Sequence, residues 1–165
     1  MKNIDDIKIL VKQIQNLFLV KDYKLIVNET RKAIKKYPDV SVFYNMLGLA
    51  LSSLGKFKEA IVILKKENEV NKEDLAIINN LANAYKSIFN FKDSENFYKL
   101  SISKNKNYLN AYVNYGNLKR DLNKFDDAIE LYKKALQYND KISAIHYALS
   151  LAYQGLGDFK NSEYY

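Results

Sequence analysis

Cysteine is absent from the 165-residue sequence, which also has one histidine (His146), one proline and five glycines. Without cysteine, the chain cannot form a disulfide, a thiol nucleophile or a cysteine-based zinc site. A single histidine excludes a multi-histidine metal site and a two-histidine acid–base pair. Because proline and glycine rarely interrupt the sequence, we expect helices that are joined by short turns.

Long apolar runs are missing as well. No stretch of roughly 18 uncharged apolar residues occurs, and charges are frequent from the start, so the sequence predicts neither a membrane span nor a secretory leader. The motifs of phosphate-binding loops, dinucleotide folds, zinc proteases and serine hydrolases are also absent. The composition, 48% hydrophobic and 27% charged, is that of a globular protein. We therefore expect a cytoplasmic, non-catalytic protein without a cofactor or a metal.

A repeat of 34 residues organises the sequence. Aromatic residues recur at this spacing at Tyr23, Phe57, Phe91, Phe125 and Phe159. Small residues recur at Gly48, Ala82, Gly116 and Ser150, and large residues at Leu64, Tyr98 and Tyr132. Apolar positions within a unit follow the helical period and change phase at a short turn. Each unit is therefore predicted to be a helix, a turn and a second helix, with small residues where the two helices approach closely.

The turns carry their own signal. Gly55 and Gly157 stand at equivalent positions, where glycine can adopt a left-handed backbone without steric cost. Asn123 can take the same conformation less readily, whereas Phe89 departs from the pattern.

Residues that occupy the same position in successive units form a column. These columns resemble the pattern of the tetratricopeptide repeat (TPR), most clearly in Tyr44, Leu47, Gly48, Phe57 and Ala60. The resemblance implies an all-α, right-handed superhelical solenoid of antiparallel helix-turn-helix hairpins. It divides the chain into one array of repeats at 7–40, 41–74, 75–108 and 109–142, with a partial repeat at 143–165. Glu67 and Lys119 depart from the pattern, because a small and a large apolar residue are usual there.

The partial fifth repeat leads to an expectation about the end of the chain. We expect the sequence to be the N-terminal part of a longer protein, because its last second helix is short. Leu149, Tyr153 and Phe159 would then lack cover, and the exposed end could self-associate.

In proteins of this kind, certain first-helix positions face the concave groove, and here several are asparagine. The candidate partner-binding residues are Asn45, Asn79, Asn80, Asn83, Lys86, Asn110, Asn114, Asn117, Arg120 and Tyr147. An asparagine amide can bond both a peptide N–H and a peptide C=O. Stacked helices lie about 8–10 Å apart and an extended strand advances about 3.3 Å per residue, so each repeat would address about three ligand residues. Lys86 and Arg120 would add affinity for acidic groups.

Other residues that could carry chemistry have structural explanations. His146 occupies a packing position, and Asp126 and Asp127 fall in a first helical turn, where acids complement the helix dipole. Basic pairs midway along second helices are expected on a solvated outer face: Arg31 and Lys32, Lys65 and Lys66, Lys133 and Lys134.

The sequence therefore predicts a scaffold that binds a protein or an extended peptide in this groove. Two alternative hypotheses stay open. The chain resembles, loosely, the substrate-recruiting repeat arms of bacterial sulfotransferases and of O-linked N-acetylglucosamine transferases. Its net charge of +7 also allows a basic scaffold for nucleic acid. Against that alternative, only Arg31 and Arg120 supply the guanidinium groups that such proteins often use.

Overall fold

The computed structural model describes residues 4–140 and 142–165, and over these ranges it contains helices and no strand. The helices are α1 Ile4–Leu19, α2 Tyr23–Lys36, α3 Ser41–Ser53, α4 Phe57–Val70, α5 Leu75–Ser87, α6 Phe91–Lys104, α7 Leu109–Asp121, α8 Phe125–Tyr138, α9 Ser143–Leu156 and α10 Phe159–Tyr164. The all-α fold of repeated helix-turn-helix segments confirms the prediction. None of the helices in the described ranges is both long and apolar enough to cross a bilayer.

The aromatic column marks where each second helix begins. The first residues of α2, α4, α6, α8 and α10 are Tyr23, Phe57, Phe91, Phe125 and Phe159. The first helices α3, α5, α7 and α9 begin at the starts of the predicted repeats. The exception is α1, which already includes Ile4 although the first repeat is predicted from residue 7. Asp5 and Asp6 lie in its first turn, where acidic side chains stabilise a helix N-terminus.

Within the described ranges, each turn between a first and a second helix contains one residue in the left-handed conformation. These residues are Lys21, Gly55, Phe89, Asn123 and Gly157, with φ between 56° and 75°. The prediction is confirmed for both glycines and for Asn123. Phe89 departs from the pattern in residue type only, because it takes the same backbone conformation as the glycines.

Contacts along the chain divide it into two compact units, one ending at Phe89 and the other running from Asn90 to Tyr165. In the first unit each helix from α1 to α5 packs on the next, and α3 also contacts α5. In the second unit each helix from α6 to α10 packs on the next, and α7 also contacts α9. The two units are therefore built by the same rule, with neighbouring first helices in contact.

Small residues on first helices permit the close approach within a repeat. A Cβ atom added to Gly48 would lie 2.5 Å from Leu64, and one added to Gly116 would lie 2.5 Å from the ring of Tyr132. Both neighbours are fully buried, so neither has room to withdraw. Glycine at these two positions is thus a packing requirement.

An ion-pair network around the buried Lys119 takes the place of an apolar contact in the second unit. Lys119, only 8% exposed, places its Nζ 2.9 Å from Glu95 and 3.3 Å from Asp127. The hydroxyl of Tyr115 also donates to Glu95, at 3.2 Å. Burial is the largest single influence and favours the neutral amine of Lys119, but the interactions with Glu95, Tyr115 and Asp127 together outweigh it and raise the pKa of Lys119. Burial likewise opposes the charge of Glu95, and Lys119, Tyr115 and Lys99 together lower the pKa of Glu95.

The end of the chain corrects one expectation. Leu149 is fully buried and Tyr153 is 7% exposed, so the prediction that they lack cover was wrong. The reason is that α10 packs on α9 and the ring of Tyr165 stacks on that of Tyr153, with centroids 5.8 Å apart. Phe159 is exposed, as expected.

Gly116→Ala should destabilise the second unit by about 1–3 kcal/mol, because the added methyl overlaps a ring that is buried on all sides. Urea unfolding measures the change in the free energy of unfolding. Tyr132→Val provides the control background, since it removes the ring that the methyl would meet. In that background Ala should be neutral or favourable, as the better helix former. An equal cost in both backgrounds would contradict the packing explanation.

Lys119→Leu should lower the free energy of unfolding by about 1–3 kcal/mol, because it leaves Glu95 partly buried without its main cation. Adding Glu95→Gln should recover most of this loss, since glutamine is neutral and keeps an oxygen for the Tyr115 hydroxyl. Urea unfolding of the single and double variants tests this. A double variant as unstable as the single one would count against the ion pair.

The same pair predicts a pH dependence. The folded pKa of Glu95 lies below its ordinary value of 4.5, so its contribution to stability is present above pH 4.5 and is lost as the pH falls through the lower folded value. The free energy of unfolding should therefore fall less steeply with acid in Lys119→Leu/Glu95→Gln than in the unmodified protein.

Candidate functional site

In the first unit, an amide pair connects two neighbouring first helices. Asn80 on α5 donates from Nδ2 to Oδ1 of Asn45 on α3, at 2.5 Å. Both side chains are half-buried. This bond fixes the orientation of both amides, and it leaves the Nδ2 donor of Asn45 and the Oδ1 acceptor of Asn80. A peptide backbone offers the complementary C=O and N–H.

The other predicted residues of α5 differ in exposure. Asn83 and Lys86 are half-buried on the helix that carries Asn80. Asn79 is only 5% exposed, so its side chain lies in the packed interior and has little surface to offer a ligand. The candidate surface of the first unit is therefore carried by Asn45, Asn80, Asn83 and Lys86.

In the second unit, the predicted residues of α7 are partly engaged with their own neighbours. Asn117 accepts a hydrogen bond from the Tyr132 hydroxyl at 2.7 Å. Burial raises the pKa of Tyr132 to about 12, although Arg120 acts in the opposite direction, so this hydroxyl stays a donor. Arg120 lies 3.5 Å from the carboxylate of Asp121.

The remaining predicted residues of the second unit have more surface. Asn110 is exposed and Asn114 is half-buried on α7. Tyr147 on α9 is 66% exposed. Asn110 and Tyr147 thus have accessible side chains, whereas Asn117 is held by Tyr132.

The sequence columns did not identify the amide pair of the first unit. The columns compare residues 34 apart, whereas Asn45 and Asn80 are 35 apart and take the fifth and sixth positions of their repeats. The signal that could have found the pair is an asparagine at each of two facing positions on adjacent first helices.

The histidine and the acidic residues that were considered for catalysis have contacts typical of structural residues. His146 is half-buried, its Nε2 lies 2.7 Å from the Asp140 carbonyl oxygen, and its ring contacts that of Tyr165. Asp126 and Asp127 lie in the first turn of α8, as predicted. Within 4–140 and 142–165, no group of three or more histidine and acidic side chains is placed to hold a metal ion.

The basic pairs of the second helices are exposed, as predicted. Several are also neutralised by acidic neighbours. Arg31 lies 3.2 Å from Glu59, and Lys134 lies 2.5 Å from Glu130. These ion pairs are typical of a solvated outer surface.

Comparisons with known proteins agree with this architecture. The family model described as the N-terminal TPR repeats region of Psidin matches residues 11–119, and a TPR repeat model matches residues 116–157. A comparison with curated protein sequences finds no match.

Solved structures share the fold. TTC0263, a thermophilic TPR protein of Thermus thermophilus, has a TM-score of 0.84 and 19% identity, with 94% of this chain and 85% of that chain covered. BtubC from P. vanneervenii has a TM-score of 0.80 and 17% identity, with 96% and 76% covered. MamA has a TM-score of 0.73 and 21% identity, with 95% and 86% covered. At these identities the likeness concerns the fold alone.

The match to the Psidin repeat model spans more than half of the 165 residues, and it falls on the repeats that the helix boundaries define. The chain therefore belongs to the tetratricopeptide repeat proteins, the family that both models describe.

Proposed function

We propose that the protein is a non-catalytic scaffold that binds an extended segment of a partner protein in the groove lined by its first helices. The observation that carries this proposal is the amide pair of Asn45 and Asn80 on α3 and α5. An asparagine in a helix interior has a mild propensity cost relative to alanine. Here two such residues are held in one orientation on neighbouring helices.

The chemistry of this pair matches a peptide backbone. Asn45 offers a donor and Asn80 an acceptor, which are the groups needed to bond one C=O and one N–H of an extended chain. Recognition of this kind tolerates many side chains, because it reads the backbone. Half-burial of both amides strengthens the bonds they form, since water competes less there.

Two positive side chains on first helices, one in each unit, define the preferred partner. Lys86 lies on α5 and Arg120 on α7, both half-buried, so we expect them to favour a segment with acidic groups. Asp121 lies beside Arg120, so a ligand carboxylate must compete with it for the guanidinium group. The transferase-arm hypothesis stays a prediction about sequence outside this chain.

Asn45→Ala/Asn80→Ala should abolish retention of partners that the unmodified protein captures, because it removes both backbone-binding amides. The measurement is quantitative mass spectrometry of proteins retained on the immobilised full chain. Asn28→Ala/Asn96→Ala is the matched control, since it removes two exposed amides from the second helices α2 and α6. Equal retention by both double variants would remove the amide pair from the proposal.

Arg120→Glu should weaken binding of an acidic partner segment by more than tenfold at low salt, which is about 1.4 kcal/mol. The loss should shrink at high salt, because mobile ions screen the interaction. Lys134→Glu on α8 makes the same charge change on the outer surface and should have little effect. A similar loss in both variants would point to net charge alone, and steeply salt-dependent binding of DNA or RNA would favour the nucleic-acid alternative.

A further inference from the structure

A cavity of about 280 Å³ lies in the first unit, beside the C-terminal half of α4. Glu67 borders it, together with Tyr44 of α3 and the segment that precedes α3. Glu67 occupies a column that is otherwise small and buried, namely Ala33, Ser101 and Ala135. The departure seen in the sequence therefore coincides with an opening in the packing.

The carboxylate of Glu67 is buried without a cation. Its residue is 6% exposed, and its Oε1 accepts a hydrogen bond from Nδ2 of Asn71. Among the residues that the structure describes, no lysine or arginine forms an ion pair with Glu67. Burying a charge is costly unless an opposite charge compensates it. An amide neighbour meets this need only in part, so the site favours a cation that enters from outside.

The rest of the cavity suits an alkyl cation. Pro38 and Val70 provide apolar walls, and the Tyr44 hydroxyl donates to the Pro38 carbonyl oxygen at 2.9 Å, which fixes the aromatic wall. Burial raises the pKa of Tyr44, and so do the charges of Glu67 and Asp39. Two carboxylates, Glu67 and Asp39, and one lysine, Lys66, line this cavity, and of these Glu67 is the buried one.

We propose that this cavity binds the end of a basic side chain, an ammonium or guanidinium group on an alkyl stem, presented by a partner protein. Its volume lies just below the range of about 300–1,000 Å³ that is typical of pockets for whole small ligands, so one side chain fits its size. The stem packs on the apolar walls while the charged group pairs with Glu67. Divalent metal is the poorer occupant, since no group of three histidine or acidic side chains is gathered within the described ranges.

This site is separate from the amide pair, because its central residue lies on the second helix α4. Failure of the Asn45 and Asn80 test therefore leaves it untouched. Lys66 is exposed and lines the same cavity, so its positive charge repels a ligand cation. Its removal is expected to strengthen binding.

The test is a titration of the full chain with an acetylated, amidated pentapeptide that has a central arginine between pairs of glycines. Amide NMR of the Asn71 side chain reports occupancy, because that amide bonds Glu67. We expect saturable shifts with the arginine peptide and none with a peptide that has norleucine in place of the arginine. Glu67→Gln should weaken binding at least tenfold, and Lys66→Gln should tighten it.

Two further variants make the result specific. Glu69→Gln makes the same charge change at an exposed position of α4 and should leave the affinity within about twofold, or about 0.4 kcal/mol. Glu67→Ala restores the small residue of the column, so it should stay folded and lose binding. No saturable shift at about 10 mM arginine peptide, or unchanged affinity in folded Glu67→Ala, would overturn the proposal. If agmatine binds as tightly as the peptide, the proposal that a partner protein presents the cation would be wrong, and the cavity would be a site for a free amine.

Discussion

The close approach of two helices within a repeat is the constraint on which the rest of the structure depends. At Gly48 and Gly116 no side chain fits, because Leu64 and Tyr132 occupy the space. In the described ranges, the turns that join a first helix to the second helix of its repeat are two or three residues long, and each contains one residue with positive φ. Where the column holds Ser150, its hydroxyl donates to the Ser162 carbonyl oxygen on the facing helix, at 3.0 Å. Serine at this position is thus held against the facing helix by a hydrogen bond.

Charged residues enter the packing columns in two different ways. Lys119 is surrounded by Glu95 and Asp127, so its charge is compensated inside the second unit. Glu67 has an amide as its neighbour and borders a cavity. The same kind of departure from the repeat pattern is therefore structural in one place and open to a ligand in the other. What separates them is whether the neighbouring helices supply the opposite charge.

Much of the backbone could be predicted from the sequence. The 34-residue repeat and the helical spacing of its apolar residues indicate where each helix begins and where each turn falls. The starts of all five second helices coincide with the aromatic column, and Gly55 and Gly157 have the expected left-handed turns. Partners of individual side chains could not be predicted in this way, since they come from neighbouring helices. The bond between Asn45 and Asn80 joins residues that fall in different columns.

Burial shows the same limit of a periodic pattern. Asn79 was predicted to face the groove from its position in the repeat, yet it is buried. Tyr153 was expected to be open, but the last residue of the chain covers it by stacking. In both cases the periodic pattern predicts the helix face on which a side chain lies. It does not predict which residues of other helices pack against that side chain. Binding residues that are predicted from the repeat pattern alone must therefore be checked against the tertiary contacts, which show whether their side chains are accessible to a ligand.

The turns have a consequence for how each unit unfolds. Lys21 in the first unit and Asn123 in the second hold a left-handed backbone that costs non-glycine residues about 1–2 kcal/mol each. This cost lowers the intrinsic stability of the hairpins that contain these turns, so a larger share must come from contacts between successive repeats, such as α2 with α3 and α8 with α9. An array with weak hairpins and strong interfaces has few stable intermediates. Each unit should therefore melt as one cooperative block.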